Sequence, residues 1–336
     1  MNQTAGKEEK EQRFLSVVVI GRNEGRNLPA LFASLPRGEG IEWIYVDSRS
    51  TDDSVEAALK AGAKVYLVEE GSVCGPGTGR YIGTLEAAGR WILYLDGDMI
   101  FRREFQPFLE RIKKEDNLPP QTAGFVGRTR NFYLDRKGNT AAERDNAVLP
   151  ARELGPAEEW GRPASYHGGA VIYLRESVLK AGNWNPAVYQ LEEIDLYSRV
   201  RALGGIVRAV DLPLADHHAP LLSGWERLKL NFLPRWRGKK LFGAGQVLSA
   251  GLKEGGLGRF IRAYPYPFVV LAGLVTAPLF YLIWPPLPLI SNTLIAVWIG
   301  ATKKWYFYLV YLGNLFQMIW GLGRYKRFKP HYKRIK

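Results

Sequence analysis

The chain has 336 residues, a formal net charge of +13, 46% hydrophobic and 24% charged residues, and one cysteine, Cys74. This length suits one large domain with a smaller appendage; the composition excludes a disordered chain, and a lone cysteine excludes an intrachain disulfide and a Cys-based metal site. A basic balance suits nucleic acid, an anionic membrane surface or phosphorylated substrates, but much of the charge follows residue 223 beside apolar segments, which favours the membrane surface, and no zinc-ligand or nucleic-acid motif points to nucleic acid.

Residues 1–13 are polar, lack the apolar core of a secretory signal and read as a disordered tail. Phe14 to Ile20 is an apolar, β-branched run, the mark of a buried parallel strand. A helix is predicted from Asn27, a plausible N-cap, to Leu35. A second strand, Ile41 to Val46, ends in the turn Asp47-Ser48-Arg49-Ser50-Thr51-Asp52-Asp53, which opens a helix through Ala61. A third strand spans Ala63 to Val68, followed by a Gly-rich loop, Gly71 to Gly79, and a helix through Ala88. The fourth strand, Trp91 to Leu95, runs into Asp96-Gly97-Asp98. Strands alternating with helices predict an α/β fold with a mostly parallel, Rossmann-like sheet. Ligands of such sheets bind at the carboxyl ends of the strands, where Asn23-Glu24, Asp47 and Asp96 fall. Residues 120–165 read as loops and an insertion. Gly168 to Leu174 reads as a strand, Leu191 to Leu203 as a helix opening on acids, and Ile206 to Val210 as a late strand followed by Asp216-His217-His218.

Beyond residue 222 the character changes. Trp225 to Arg262 carries nine Lys/Arg and two acids, residues 263–302 carry no charge, and neither do 305–323. A spanning helix needs about 20 apolar residues, and Pro285, Pro286 and Pro288 split the first uncharged run, so two short spans are expected near 266–284 and 287–302. The tail Arg324 to Lys336 carries seven Lys/Arg, which the positive-inside tendency places on the cytoplasmic side. Trp305 to Gly323 then lies in the interface or re-enters; the alternative, a third complete span, would put the basic tail outside. The expected organisation is a disordered tail (1–13), a catalytic domain (14–222), a basic amphipathic interfacial segment (223–262), transmembrane or interfacial helices (263–323) and a basic tail (324–336).

Asp96-Gly97-Asp98 places two acids at a strand end. Hard divalent cations such as Mg²⁺ or Mn²⁺ take carboxylate oxygens and retain phosphates as further ligands, glycine permits close approach of a diphosphate, and such a cation neutralises charge developing on a diphosphate leaving group.

Val17-Val18-Val19-Ile20-Gly21-Arg22-Asn23-Glu24, Val46 to Asp52, Gly79-Arg80-Tyr81-Ile82-Gly83, Leu95 to Asp98, Gly168-Gly169-Ala170 and Glu192 to Arg199 occur in that order over residues 14–220. Together they resemble a family 2 glycosyltransferase with the GT-A fold. The resemblance implies inverting transfer from a nucleotide-diphosphate sugar, with Asn23, Glu24 and Asp47 lining the nucleoside pocket and Arg80 near the diphosphate. It also implies Gly168-Gly169 under the donor sugar, Asp96, Asp98 and His217 (or His218) as metal ligands, and Glu193 as the base, with Glu192 as the fallback. Asp195 and Arg199 are spaced as an ordinary helical ion pair. A UDP- or GDP-sugar donor and a membrane-embedded acceptor, polyprenyl phosphate or a lipid-linked glycan, are expected, with the catalytic domain on the cytoplasmic side of the cell membrane. A processive polysaccharide synthase or a non-catalytic binding protein on the same fold are the alternatives.

Overall fold

The computed structural model describes residues 13–115, 117–135, 137–146, 160–164, 167–188, 190–223, 225–226, 243–254, 257–263, 268, 271–272, 315–316, 318–322 and 329–335. Its first half alternates β1 (Arg13–Gly21), α1 (Leu28–Ser34), β2 (Ile41–Asp47), α2 (Ser54–Lys60), β3 (Lys64–Val68), α3 (Pro76–Glu86) and β4 (Gly89–Asp96). Short β5 (Met99–Phe101) and α4 (Gln106–Lys114) follow, then β6 (Thr122–Leu134), β7 (Thr140–Asn146), β8 (Arg162–Pro163), β9 (Val171–Leu174), α5 (Arg175–Lys180), α6 (Glu192–Ala202) and β10 (Ile206–Pro220). Helices α7 (Gly243–Glu254) and α8 (Leu257–Ala263) and strand β11 (Tyr332–Ile335) complete the described elements.

One 11-stranded sheet has the order β11-β3-β2-β1-β4-β9-β6-β10-β5, with β7 on β6 and β8 on β10. Strands β3, β2, β1 and β4 are parallel to one another. Beyond β4, β9 runs antiparallel. The alternation along β1 explains its double burial. Val17 and Val19 enter one core with α1, while Val18 and Ile20 enter a second core with Ile82 of α3. Helix α3 sits close on β1 because it presents glycines to it: a Cβ on Gly83 would lie 2.2 Å from Val18 Cγ1, and one on Gly79 2.8 Å from Ile20 Cγ2. That seating fixes Arg80, between the two glycines.

Four expectations need correction. The predicted loops of 120–165 contain β6, a 13-residue strand whose outer half, with Arg128 and Arg130, is masked by charge that Asp211 and Asp216 neutralise. Asp216-His217-His218 lies inside β10, paired with Arg130, Asn131 and Phe132, not in a loop after it. Arg13, assigned to a tail, begins β1. The basic tail is not free either: Tyr332–Ile335 pairs antiparallel with β3 at the sheet edge, because Tyr332 and Ile335 each find apolar neighbours there.

The segment after 222 is in part a helical layer on the catalytic domain. Ala244, Val247 and Leu248 of α7 and Phe260 of α8 pack with Val188 and Ile194 beside the acidic end of α6. Among the described residues no helix is long and apolar enough to cross a membrane. The two expected spans, and residues 227–240 of the amphipathic segment, lie outside the described residues, save Phe268, Leu271 and Ala272.

Candidate active site

The carboxyl ends of β1 and β2 are laced together. Asn23, at φ 60°, donates its backbone N–H to Ser50 Oγ at 2.8 Å, and Thr51 N–H donates to Asn23 Oδ1 at 2.8 Å. Asp52 accepts from Gly25 N–H at 3.0 Å, and Ser54 Oγ accepts from Glu24 N–H at 2.8 Å. Asp47 is fully buried and accepts from Ser50 N–H at 2.8 Å and from the Tyr45 hydroxyl at 3.2 Å. Its carboxylate therefore holds the turn that shapes this end of the cleft. Glu24 accepts from Asn27 at 2.6 Å. Burial, reinforced by Asp98, Asp52 and Asp96 and opposed by the Asn27 bond, holds the Glu24 carboxyl above its usual range.

Asp96-Gly97-Asp98 adjoins these loops through Gly97 N–H, which donates to Ile20 O at 2.8 Å. The two acids then diverge. Asp96 Oδ1 accepts from Arg80 Nη2 at 2.7 Å, whereas Asp98 Oδ2 lies 3.2 Å from His217 Nε2. The other imidazole nitrogen, Nδ1, is 2.9 Å from the acceptor Asn131 Oδ1 and donates to it, and Nε2 donates to Asp98 when the ring is protonated. Burial opposes protonation of His217, but the Asp98 hydrogen bond and the charges of Asp98, Asp96 and Glu24 outweigh it and raise its pKa. His218 instead stacks on Phe132 at 5.3 Å, and its backbone N–H donates to the Asp98 carbonyl at 3.2 Å.

Arg80 links this acid pair to α6. Its side chain is 1% exposed; Nη1 binds Glu192 Oε1 at 2.5 Å while Nη2 binds Asp96, and the guanidinium lies 5.0 Å from the Trp184 ring. Burial works against its charge, but Asp96, Glu192 and Glu193 more than compensate and raise its pKa. Arg80 is thus a buried tie rather than a surface charge. Glu192 is consumed by that tie. Glu193, its neighbour, stays partly open to solvent. Desolvation first, then the charge of Glu192, raises the Glu193 carboxyl pKa. Leu191 adopts φ 66° where α6 begins, a left-handed conformation that costs a non-glycine residue about 1–2 kcal/mol and is held by its surroundings.

Gly168 faces open space, while Gly169 is confined: a Cβ there would lie 2.6 Å from Asp96 Oδ2 and 2.7 Å from Arg80 Nη2. Beneath this loop His167 is buried, with Nδ1 2.8 Å from Gly168 O and Nε2 2.7 Å from the Tyr173 hydroxyl. Burial lowers its pKa to about 4, so it is neutral. The expected ion pair of Asp195 and Arg199 is present at 2.6 Å, and Arg199 also donates to the carbonyls of Ala181 and Asn183, at 2.7 Å for the second, anchoring the loop that carries Trp184. Neither Asn131, His167 nor Trp184 stands out in the sequence. They sit on segments whose elements the residue pattern hides, and only the register Asn131 to His217 reveals the first.

Among the described residues no group of three or more His, Cys, Asp or Glu is arranged as a metal cage. The donor set nevertheless fits a hard divalent cation sharing its shell with phosphate oxygens. Asp98 Oδ1 is buried with no hydrogen-bond partner among the described residues, and Asn131 holds His217 through Nδ1, which fixes the ring so that Nε2 faces Asp98 as a ligating imidazole would.

A parallel β3-β2-β1-β4 core, with carboxylates at the strand ends and an acid pair on α6, is a GT-A-like α/β arrangement. Residues 16–181 match the model of "Glycosyl transferase family 2". A "4,4'-diaponeurosporenoate glycosyltransferase" of Staphylococcus haemolyticus (strain JCSC1435) is 29% identical over 103 residues, which is 29% of this chain and 28% of that relative's length. Among solved structures, "Mannosyltransferase PcManGT from Pyrobaculum calidifontis in complex with GDP-Man and Mn2+" aligns with a TM-score of 0.55 and 15% identity over 93% of this chain and 88% of that one, a likeness of fold. TarS of S. aureus in complex with UDP-GlcNAc aligns at a TM-score of 0.45 and 16% identity, over 76% of this chain and 75% of that one.

Proposed function

We propose that this chain inverts the anomeric centre of a UDP- or GDP-sugar as it transfers the sugar to an acceptor held in or on a membrane, such as polyprenyl phosphate or a lipid-linked glycan. The observation that carries the reading is the division of labour between the two acid pairs. Glu192 and Asp96 Oδ1 are bonded to Arg80, which leaves Glu193 and the unpartnered Asp98 Oδ1 as available carboxylate groups.

In this reading Asn23, Glu24 and Asp47 shape the nucleoside end, with Asp47 acting through the turn it holds. Gly168 and Gly169 form the floor under the donor sugar. Asp98 and His217, with Asp96, would hold Mg²⁺ or Mn²⁺, which when bound neutralises charge on the departing diphosphate. The neighbour in complex with GDP-Man and Mn2+ supports a divalent cation. Glu193 accepts the proton of the attacking hydroxyl, a role that suits a carboxyl whose affinity for protons is raised. A phosphate acceptor is already ionised and needs no such base, so Glu193 favours a hydroxyl of a lipid-linked glycan over polyprenyl phosphate. The membrane context is supported by the uncharged runs 263–302 and 305–323 and by the basic segments beside them. It implies a catalytic domain (14–222) on the cytoplasmic side of the cell membrane, with α7 and α8 packed on it and the uncharged run 263–302 in or on the membrane.

The test is a nucleotide-sugar turnover screen of the purified full chain with Mg²⁺ and Mn²⁺, with and without lipid-linked acceptors. One donor turned over only with a divalent cation, and abolished by Asp98→Ala, is expected. Turnover of water-soluble acceptors alone removes the lipid part, and full in-cell function of Asp98→Ala removes catalysis.

A further inference from the structure

Both ends of the uncharged stretch are fastened to the catalytic domain. Before it, α7 and α8 pack on Ile194 of α6. After it, Leu315 and Met318 enter the same cluster. The chain there crosses α7 at near backbone contact, since a Cβ on Gly245 would lie 2.2 Å from the Met318 carbonyl oxygen and 2.4 Å from Gly321 Cα. The chain then reaches the far sheet edge, where β11 pairs with β3 from Tyr332↔Val68 to Ile335↔Val65. Glu69 N–H donates to His331 O at 3.0 Å, His331 N–H to Ser72 Oγ at 2.7 Å, and the Tyr332 hydroxyl to Glu86 Oε1 at 2.6 Å. On the outer side of the α7 crossing, Phe316, Ile319 and Leu322, spaced by three residues, are 46%, 54% and 41% exposed.

We propose that β11 is a strap holding the chain's end on the catalytic domain, so that the uncharged stretch visits the bilayer from one side only. The Phe316, Ile319 and Leu322 face seats in the lipid surface of that side. This rests on the membrane reading above and deepens it. A strand hydrogen-bonded to β3 cannot lie beyond a hydrocarbon core about 30 Å thick, so complete crossings occur an even number of times. Residues 315–322 belong to no third span, because Leu315 and Met318 are committed to the α7 cluster. The occupant of the apolar face is a bilayer rather than another protein for two reasons. The face continues the uncharged run 305–323, and the tail that follows it carries seven Lys/Arg, which anionic headgroups attract at about 1 kcal/mol each.

The test uses full-length chain in native membranes, in a Cys74→Ser background. A Leu67→Cys/Lys333→Cys pair, opposite each other in the register, forms an intrachain disulfide on addition of oxidant. Lys333→Cys alone, and Leu59→Cys on the exposed side of α2, react with a membrane-impermeant maleimide from the same side only. A nitroxide on Ile319→Cys is more accessible to oxygen than to a water-soluble nickel chelate. Absence of the disulfide, labelling of Lys333→Cys and Leu59→Cys from opposite sides, or the reverse accessibility order overturns the strap or the seated face. Full-length chain recovered soluble without detergent instead overturns the membrane reading, while an intact disulfide in it leaves the strap standing.

Discussion

Replacing Arg80 with methionine should cost stability in a way that one partner, and not the other, can repair. The guanidinium joins two carboxylates whose surroundings differ: the Glu192 side chain is 4% exposed and that of Asp96 33%. Removing one member of a buried pair leaves an uncompensated charge and costs about 3–5 kcal/mol. An ion pair that water screens is worth roughly 0–1 kcal/mol, so nearly all of the loss belongs to Glu192. At roughly 2–4 °C per kcal/mol for a domain of this size, Arg80→Met should lower the melting temperature by on the order of 10 °C. Arg80→Met/Glu192→Gln should recover most of that, whereas Arg80→Met/Asp96→Asn should not. The Trp184 contact is lost equally in all three variants and drops out of the comparison. Urea unfolding followed by Trp fluorescence gives the numbers. A single-variant cost below about 1 kcal/mol, or equal rescue by both second substitutions, would refute the assignment of Arg80 as a buried tie.

Three further outcomes follow from the cleft. Glu193 works as a base only when ionised and its pKa is raised, so kcat/KM should fall as pH drops well before the ordinary glutamate range near 4.3. Glu192→Gln, which removes a charge that raises it, should move that acid limb to lower pH; a limb that stays in the ordinary range sinks the assignment. Gly169→Ala should force the Asp96–Arg80 pair apart and cost about 1–3 kcal/mol of stability, measured by urea unfolding alongside donor affinity, and a stable variant with unchanged donor binding contradicts the close approach. Asn131→Leu should weaken Mn²⁺ binding about 10–100-fold by freeing the His217 tautomer, read by calorimetry with the nucleotide diphosphate present; unchanged affinity shows that His217 is not oriented through Asn131.

The legible part of the sequence was the part in which a local pattern and its structural cause lie within one element. Val17 to Ile20 must be a doubly covered strand because both alternating faces are apolar, and Asp96-Gly97-Asp98 must lie at a strand end because Trp91 to Leu95 leads into it. The roles inside the cleft were less legible, since they depend on which carboxylate a single arginine takes. Glu192 and Glu193 are adjacent and alike in sequence, and only the seating of α3 through Gly79 and Gly83 brings Arg80 to the first of them. Least legible was the end of the chain. Tyr332-Lys333-Arg334-Ile335 reads as four residues of a basic tail, too short and too charged to announce a strand. Its pairing partner stands more than 260 residues earlier, between Val65 and Val68. Charge on an edge strand is the ordinary means of stopping a sheet from pairing further. The composition that hid β11 as a strand is therefore the composition an edge strand needs, and Lys333 and Arg334, both exposed, close the β3 edge of the sheet that positions the donor site.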